Sequence, residues 1–510
     1  MSPDWKETRG RIAVFAEQGF PSSRGGIEPE FAFSALRQYG FSVEYLGYEQ
    51  LIEGKTLNRS RYDAILLPYG PNFPIKAKRP FLSFLQSGGG FVSIGGYAFD
   101  SLVVKSGDGS WRVLTEEEAA LPDNRINARY GYPQDDLAIS DEQIGVFDPC
   151  YRLENVACIN AAPEQQIIPA DFSCPGPVTG FAACANHLGG SDSTNRGRWQ
   201  ALLDAYDRFG RLRGPAGALI YNYAGMFRGS AWAFIGAESK AIFSEAIPGS
   251  SLALARLIEA VVAPLFLHEI RARYAYYEVG ETVQISVKVS NHAPYARRCD
   301  LAFLFRDVES GQELERIQRS GTLEGRSTTT CVIQWSVPNP SPSTIEVTAV
   351  LDSGGRTIDR IDSGFIVGND FEIAQGPPVK FEDNYFHIWD RPTFIFGTAQ
   401  SGIEFRSDMQ NPLTWRRDLA MARDLGVQQL QNLQFFGHFK PAFERAKKTI
   451  AALGEATDET GNELISDELV WSEEQLRQMA AMIQLTQKYR IVYMPGLLIN
   501  LTTSGSDVEL

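Results

Sequence analysis

The segment WRRDLAMARDLGVQQLQNL occupies residues 415–433 and joins a helical pattern to a strand-like pattern through one glycine. Apolar residues recur at helical spacing at Trp415, Leu419, Ala422 and Leu425. Gly426 stands where a glycine commonly ends a helix, and Val427 begins a short strand-like run. The segment therefore predicts a helix that leads directly into a strand.

Similar patterns flank this segment on both sides. A hairpin around Trp389-Asp-Arg leads into Pro392–Phe396, which is apolar enough to predict a buried strand. On the other side, a capping box at Ser472 predicts a helix that reaches Lys488, and residues 491–498 form a third strand-like run. Because strands separated by helices favour a parallel sheet, residues 380–510 predict three parallel strands, which are too few to close an eight-stranded barrel. The resemblance given below implies that they are the N-terminal part of a (β/α)8 barrel, truncated after its third strand.

Residues 1–268 also alternate between strand and helix patterns. The predicted strands are 11–16, 41–46, 62–68, 91–95, 217–222 and 230–236, and a helix over 251–267 closes the block. This order predicts a doubly wound α/β domain. Residues 100–215 are less periodic and predict a long insertion in that domain.

Residues 269–370 have a different period. Val283, Ile285, Val287 and Val289 alternate with polar residues, as in a half-buried strand. Similar short runs follow without helices between them, separated by clusters of Pro, Gly, Ser and Asn. The pattern predicts an all-β sandwich of the immunoglobulin type.

Composition narrows the possible functions. The 510 residues carry 48 Lys and Arg against 62 Asp and Glu, which gives a net charge of −14 and argues against nucleic-acid or anionic-membrane partners. Neither a signal peptide nor a membrane-spanning segment is encoded, so a cytoplasmic protein is expected. The six cysteines and five histidines lack the spacing of a zinc site, and neither metal nor cofactor is expected. Cys299 and Cys331 lie on neighbouring strand patterns, where a disulfide is an alternative to free thiols.

The first block resembles the class I glutamine amidotransferase-like fold, in the form found in trehalose-utilisation proteins and as an accessory domain of some β-galactosidases. The resemblance is carried by Asp63–Pro68 and Phe84–Gly95. Active amidotransferases have a nucleophilic cysteine on a strand-to-helix turn, but here that turn reads Ile94-Gly-Gly-Tyr-Ala98 and the first cysteine is Cys150. The resemblance therefore implies a scaffold or a homo-oligomerisation domain.

The last block is similar to the opening of clan-A-type glycoside hydrolase barrels, on the strength of Phe386–Gly397, Trp415–Asp418 and Asp424–Val427. The start of the middle block, Tyr277–Val283, resembles accessory sandwiches of multidomain glycosidases. These resemblances imply hydrolysis of O-glycosidic bonds in oligo- or polysaccharides. One departure is Gln431–Gln434, where the resembled clan often has an arginine.

The same resemblance places the catalytic carboxyl pair after the fourth and seventh strands of the barrel, so no catalytic residue is assigned in this chain. Substrate-side positions are expected where strands end, because the active sites of such barrels lie at the carboxyl ends of the strands. The candidates are Gln400, Ser401, Asn432, Gln434, His438 and Asn500. Each has an ordinary alternative as a loop or helix cap. The carboxylates Glu404 and Asp408 are expected to be inert.

Two features of the first block also have alternative interpretations. The loop from Glu17 to Gly26 follows the first strand, where doubly wound sheets bind ligands, but ordinary turn chemistry explains its glycines better. A second set is aromatic and fits either a sugar platform or a core: Tyr221, Tyr223, Phe227, Trp232 and Phe234. For the whole chain, the alternative to a glycosidase segment is a non-enzymatic carbohydrate-binding or assembly protein with a vestigial barrel.

Overall fold

The computed structural model describes residues 9–22, 25–97, 99–119, 121–124, 126, 147–185, 197–399, 411–432 and 473–495. Over these residues the chain is a multidomain, β-rich protein built from several separate sheets. None of the described helices is both long and apolar enough to cross a membrane.

The first block is built on one large sheet. Its elements are β1 (Arg11–Phe15), α1 (Pro29–Gln38), β2 (Ser42–Leu46), α2 (Tyr48–Ile52), β3 (Ala64–Leu67), β4 (Asn72–Pro74), α3 (Lys78–Gln86), β5 (Gly90–Ile94), β6 (Ser101–Lys105), β7 (Trp111–Val113), α4 (Glu116–Ala119), β8 (Phe147–Ala161), β9 (Ser173–Ala185), β10 (Gly197–Asp207), β11 (Leu212–Asn222), β12 (Ala231–Ile235), β13 (Ala237–Glu238) and α5 (Ser250–Val262). Two 3₁₀ turns, Ile75–Ala77 and Pro122–Asn124, are inserted among them. The sheet order is β13-β9-β8-β10-β11-β12-β5-β3-β1-β2.

Strands β12, β5, β3, β1 and β2 are parallel. Ile12 and Val14 of β1 pack under α1 and α5, whereas Ala13 and Phe15 pack under α2 and α3. Since successive side chains of a strand point to opposite faces, an uninterrupted apolar run is stable only when both faces are covered. The run predicted at 11–16 is therefore a strand that is buried on both faces.

Strands β8 to β11 extend the same sheet by antiparallel pairing. Strands β8, β9 and β10 arise from the region whose sequence is least periodic, whereas most of β11 corresponds to the strand predicted at 217–222. Several register shifts along β10 and β8 interrupt the alternation of side chains. Such bulges explain why no regular period of two could be recognised there.

The predicted helix over 251–267 is too long at its C-terminus. The observed helix α5 ends at Val262, and Leu265 already begins the next strand. Pro264 lies between the two and cannot donate a backbone hydrogen bond to continue a helix. The apolar residues after it therefore belong to the next domain.

The middle block is a sandwich of two sheets. Its strands are β14 (Leu265–Ala272), β15 (Tyr276–Tyr277), β16 (Thr282–Asn291), β17 (Arg297–Asp307), β18 (Glu313–Leu323), β19 (Ser327–Ser336), β20 (Thr344–Ser353) and β21 (Arg356–Val367). The sheets have the orders β14-β16-β19 and β15-β21-β20-β17-β18, and one core contains side chains from both. Cys299 and Cys331 lie in different sheets and are free thiols, so the alternative disulfide is wrong. The immunoglobulin type stays a prediction.

The last block contains two small sheets. Its elements are α6 (Asp370–Ile373), β22 (Val379–Glu382), β23 (Tyr385–Ile388), β24 (Arg391–Thr393), β25 (Gly397–Ala399), α7 (Pro412–Asp424), β26 (Gln429–Asn432), α8 (Glu473–Lys488) and β27 (Val492–Pro495). Strands β22, β23 and β24 form an antiparallel sheet, with Trp389 and Asp390 at positive φ in the predicted hairpin turn. Strands β25, β26 and β27 form a separate parallel sheet.

One predicted strand of this block is wrong. Residues 392–396 were expected to be buried, but Phe394 is 91% exposed and Phe396 is 56% exposed. The first strand of the parallel sheet starts later, at Gly397, and the apolar run before it is the link from the hairpin. Hydrophobicity alone predicts burial only where a neighbouring element covers the side chains.

Candidate functional site

The carboxyl ends of β25, β26 and β27 form the candidate site. Where β25 pairs with β26, Thr398 is opposite Leu430, and where β26 pairs with β27, Leu430 is opposite Tyr493. Asn432 ends β26 and is opposite Pro495, the last residue of β27. The three strands therefore end along one edge, as the sequence predicts for the start of a parallel barrel.

Of the predicted substrate-side residues, Asn432 alone falls within the described chain, and there only its backbone is described. Gln400, Ser401, Gln434, His438 and Asn500 lie outside the described residues, as do Glu404 and Asp408. Their roles stay predictions.

One face of this parallel sheet is covered by two helices. Leu430 is 1% exposed and packs with Trp415 and Leu419 of α7 and with Met482 and Leu485 of α8. Gly426, at φ +83°, ends the turn after α7 in the left-handed conformation that favours glycine. The predicted helix and the strand that follows it are therefore both observed, and α7 and α8 bury one side of β26.

The opposite face has no such cover among the described residues. Gln429 and Gln431 alternate with the buried Leu430 and so point away from the helices. Gln429 donates from Nε2 to the sulfur of Met494, 3.5 Å away, and Met494 is 41% exposed. Strands β25 and β27 each pair on one side in the described sheet. Among the residues that the structure describes, this sheet therefore has two unpaired edges and one polar face.

Helix α8 fixes the small sheet on the sandwich. Arg477 donates to both carboxylate oxygens of Glu281, at 2.8 Å each, and to the carbonyl of Tyr276 at 3.0 Å. The buried amide of Gln484 donates to the carbonyl of Val367 at 3.0 Å. The hydrogen bonds from Arg477 lower the pKa of Glu281. This contact keeps the position of the parallel strands fixed relative to the middle block.

Lys488 strengthens the same attachment. Its ammonium lies 2.7 Å from carboxylate oxygens of both Glu309 and Glu372. Burial disfavours the charged form of Lys488, but the hydrogen bonds to the two carboxylates outweigh burial and raise its pKa. Glu309 belongs to the loop between β17 and β18, and Glu372 belongs to α6. One lysine therefore ties α8 to two separate elements.

The second potential site is the crevice beyond the carboxyl ends of β1, β3 and β5. Gly95 follows β5 at φ +104°, and a Cβ added there would lie 2.2 Å from the backbone of Gly25. A Cβ on Gly25 would in turn lie 2.4 Å from the Cα of Glu238. Backbone therefore fills the turn where the resembled amidotransferases have their nucleophile. A side chain at Gly95 or at Gly25 would therefore collide with backbone.

Glu17, in the loop after β1, is engaged by its own block. Its carboxylate accepts from the backbone N–H of Tyr48 at 3.0 Å and from Lys105 at 3.3 Å. The ammonium of Lys105 also lies 5.3 Å from the ring centres of Tyr48 and Trp111. These contacts give the carboxylate a structural role and agree with the ordinary-turn interpretation of the loop.

The aromatic set of the first block is core and interface rather than an exposed platform. Trp232 and Phe234 are 0% exposed. Tyr221 stacks on Phe266 with ring centres 4.3 Å apart, and Tyr223 lies 4.3 Å from the ring of His268. Phe266 and His268 belong to β14, so the aromatic residues join the first block to the sandwich.

A buried ion pair at this junction had no signal in the sequence. Arg198 of β10 pairs with Asp359 of β21, and their side chains are 12% and 3% exposed. Arg198 also donates to the carbonyl of Leu267 at 2.7 Å. The backbone N–H of Leu267 in turn donates to the carboxylate of Asp359 at 2.7 Å. The partners are 161 residues apart. Only knowledge of how the two blocks pack could have predicted the pair.

Comparisons with known proteins give little information about the function of this chain. No family model matches it, and no curated protein matches it. The solved structures similar to it include a putative β-galactosidase from Bacteroides fragilis, at 17% identity over 32% of this chain and 24% of that one, with a TM-score of 0.19. A family 2 glycosyl hydrolase from Bacteroides cellulosilyticus is similar at 13% identity over 33% of this chain and 23% of that one, with a TM-score of 0.20.

A β-glucuronidase from Bacteroides uniformis is similar at 15% identity over 45% of this chain and 27% of that one, with a TM-score of 0.21. The matched part of this chain thus spans about a quarter of the length of the three structures. At these TM-scores the likenesses carry no argument about function, which has to come from the residues of the chain itself.

Proposed function

We propose that this chain is the N-terminal portion of a glycoside hydrolase that acts on O-glycosidic bonds of oligo- or polysaccharides. The first block and the sandwich serve as scaffold, and β25, β26 and β27 are the first three strands of the catalytic (β/α)8 barrel. The observation that carries the proposal is the parallel pairing of these strands with two helices on one face.

The uncovered face supports the barrel interpretation. Parallel sheets occur almost only with both faces covered, and free strand edges invite unwanted pairing. Closure with further strands would pair both edges and would place Gln429, Gln431 and Met494 inside the barrel. The exposed Phe394 and Phe396, which precede β25, would also gain neighbours.

The sugar chemistry rests on the resemblance of Phe386–Gly397, Trp415–Asp418 and Asp424–Val427 to clan-A-type barrels. Glycoside hydrolysis needs two carboxyl groups roughly 5–9.5 Å apart on either side of the scissile bond. In the resembled clan these groups follow later strands than the three described here. We therefore assign this chain substrate-side positions only, namely Gln400, Ser401, Asn432, Gln434, His438 and Asn500.

The proposal is tested by extending the chain. The 510-residue protein is expected to leave a panel of nitrophenyl glycosides unhydrolysed, whereas a protein extended by the codons that follow residue 510 should cleave at least one of them. In the extended protein, Asn432→Ala should lower kcat/KM, and the matched surface variant Gln312→Ala should not. Hydrolysis by the 510-residue chain would contradict the assignment of the acid pair to later strands. A following frame without about 200 further barrel-like residues would overturn the enzyme proposal.

A further inference from the structure

Three arginines line one cleft between α5 and the sandwich. Arg256 belongs to α5, Arg297 begins β17, and Arg356 begins β21. The cleft walls include Tyr221 and Ile358, and the lining carboxylate is Glu259. The cleft therefore concentrates positive charge at a junction between two blocks, in a protein whose net charge is −14.

The carboxylate in the cleft is already shared. One oxygen of Glu259 accepts from Arg9 at 3.1 Å, and the other accepts from Arg356 at 2.9 Å. Arg297 donates one N–H to the carbonyl of Ala263 at 3.2 Å. Arg256 makes neither an ion pair nor a hydrogen bond within the described part of the chain. Since each guanidinium carries five N–H donors, most donors of Arg256 and Arg297 are unclaimed.

The surroundings favour an anion over a neutral ligand. Apolar walls lower the local dielectric constant and strengthen the attraction between the arginines and a negative group. Planar guanidinium groups match the oxygens of phosphates and carboxylates and bind them with pairs of short hydrogen bonds. Tyr221 adds a phenol whose pKa is raised, above all by burial, so that the hydroxyl remains a proton donor.

We propose that this cleft binds a small oxyanion, carried by a phosphate or a carboxylate group. The bound anion contacts Arg256 of the first block together with Arg297 and Arg356 of the sandwich, and it removes the repulsion between arginines contributed by two blocks. Binding therefore stabilises the junction between α5 and the sandwich. The proposal does not depend on the glycosidase assignment, because it concerns a different part of the chain and involves no turnover.

The test measures binding to the full chain by calorimetry in separate arms with inorganic phosphate, glucose 6-phosphate and glucuronate. We expect at least one of these probes to bind and to raise the midpoint of thermal unfolding, while sodium chloride at matched ionic strength does not. Binding of both phosphates would identify the phosphate group as the ligand, and binding of glucuronate alone would identify the carboxylate.

The variant Arg256→Gln removes one charge from a side chain that makes neither an ion pair nor a hydrogen bond with the described residues. It should weaken binding about tenfold, which corresponds to the loss of one charge-assisted contact. Arg256→Lys keeps the charge but loses the planar guanidinium group, so its affinity for the anion should lie between those of the wild-type chain and Arg256→Gln. The matched control is Arg213→Gln, which removes an exposed arginine of β11 that does not line the cleft. Absence of binding in every arm, or equal binding by Arg256→Gln and the wild-type chain, would overturn the proposal.

Discussion

Two sets of parallel strands, one in the first block and one in the last, differ in how their faces are covered. In the first block, helices lie on both faces, and Ala64–Leu67 of β3 is buried throughout. In the last block, α7 and α8 cover one face, and the other exposes Met494. Both sheets come from the same alternation of strand and helix in the sequence. The difference shows that this alternation specifies parallel pairing but leaves the cover of each face to the rest of the structure.

The cover also determines what each sheet can do chemically. The carboxyl ends of β1 and β5 are packed against the chain's own backbone at Gly25 and Gly95. The carboxyl end of β26 at Asn432 lies beside a face that the described residues leave uncovered. A sheet that is covered in this way suits a scaffold, whereas a sheet with an uncovered face can pack against further elements. Substitutions in the two sheets should therefore have different consequences.

The largest effect is expected from a matched pair of core truncations, Leu66→Ala in the first sheet and Leu430→Ala in the last. Leu66 is 0% exposed and Leu430 is 1% exposed. We expect Leu66→Ala to lower the free energy of unfolding of the first block by about 4 kcal/mol, because the cavity lies within a sheet covered on both faces. Leu430→Ala should cost about 2–3 kcal/mol and affect the last block alone.

Hydrogen exchange read by mass spectrometry distinguishes the two variants peptide by peptide. Leu66→Ala should increase exchange across β1, β3 and β5, and Leu430→Ala should increase it in α7, α8 and β26. Equal, chain-wide effects of both variants would contradict the difference drawn between the two sheets.

The second prediction concerns the closed crevice. Gly95→Ala should destabilise the first block by about 3 kcal/mol, since the added Cβ meets backbone at 2.2 Å and the φ of +104° is unfavourable for alanine. Gly107→Ala is the matched control, because a Cβ there meets nothing within 4 Å. Urea unfolding provides the measurement. If the two variants were equally stable, the crevice would have space that the structure assigns to backbone.

The third prediction is that the junction between the first block and the sandwich and the attachment of α8 differ in how their stability depends on pH. Burial, above all, lowers the pKa of His268 to about 3 and that of His292 to about 4. Both values lie below the ordinary 6.5, so the unfolded chain binds these protons more readily than the folded one. The folded state therefore has its full stability, as far as these histidines are concerned, above pH 6.5. It loses stability progressively as the pH falls toward the pKa values of the folded chain.

From pH 7.5 to 5.5 the two histidines together should lower the stability of the junction between the first block and the sandwich by about 2–3 kcal/mol. The attachment of α8 should persist over that range, because Arg477 lowers the pKa of Glu281 below its ordinary 4.5 and its protonation requires stronger acid. Urea unfolding of the wild type and of His268→Asn at both pH values gives the measurement. An unchanged pH dependence in His268→Asn would exclude a contribution from this histidine.

The smallest effect is expected at the open sheet. Phe394 is 91% exposed, so Phe394→Ser should change the free energy of unfolding by less than about 0.5 kcal/mol. It should nevertheless reduce self-association, because an exposed aromatic ring next to free strand edges favours aggregation. Light scattering before and after incubation measures this property. Substantial destabilisation would mean that the ring is covered in solution.

Much of the first and last blocks could be predicted from the sequence. The strand predicted at 11–16 is observed at Arg11–Phe15, and Gly426, which was predicted to end a helix, has positive φ. Such local signals depend on neighbouring residues only. By contrast, strands β8 to β10 carry register shifts that hide their period, and residues 392–396 are apolar without being covered.

The location of the candidate site could be predicted from the sequence, but the side-chain contacts around it could not. Parallel strands end at a common edge, so the strand that ends at Asn432 could be placed there from its pattern. The arginine cleft and the pair Arg198–Asp359 were not predictable, because their members come from elements far apart in the chain. No spacing rule links residues whose proximity depends on how two domains pack.

The sequence by itself determined the order of three regions, the change of period between them and the parallel pairing of those strands in the first and last regions that alternate with helices. These properties follow from local periodicity and from the backbone preferences of glycine and proline. The tertiary structure alone decided which faces are covered, which crevice is filled by backbone and which charges meet at the junctions. The physical reason is that burial and charge pairing depend on contacts between distant segments, and the free energy of those contacts is absent until the domains pack.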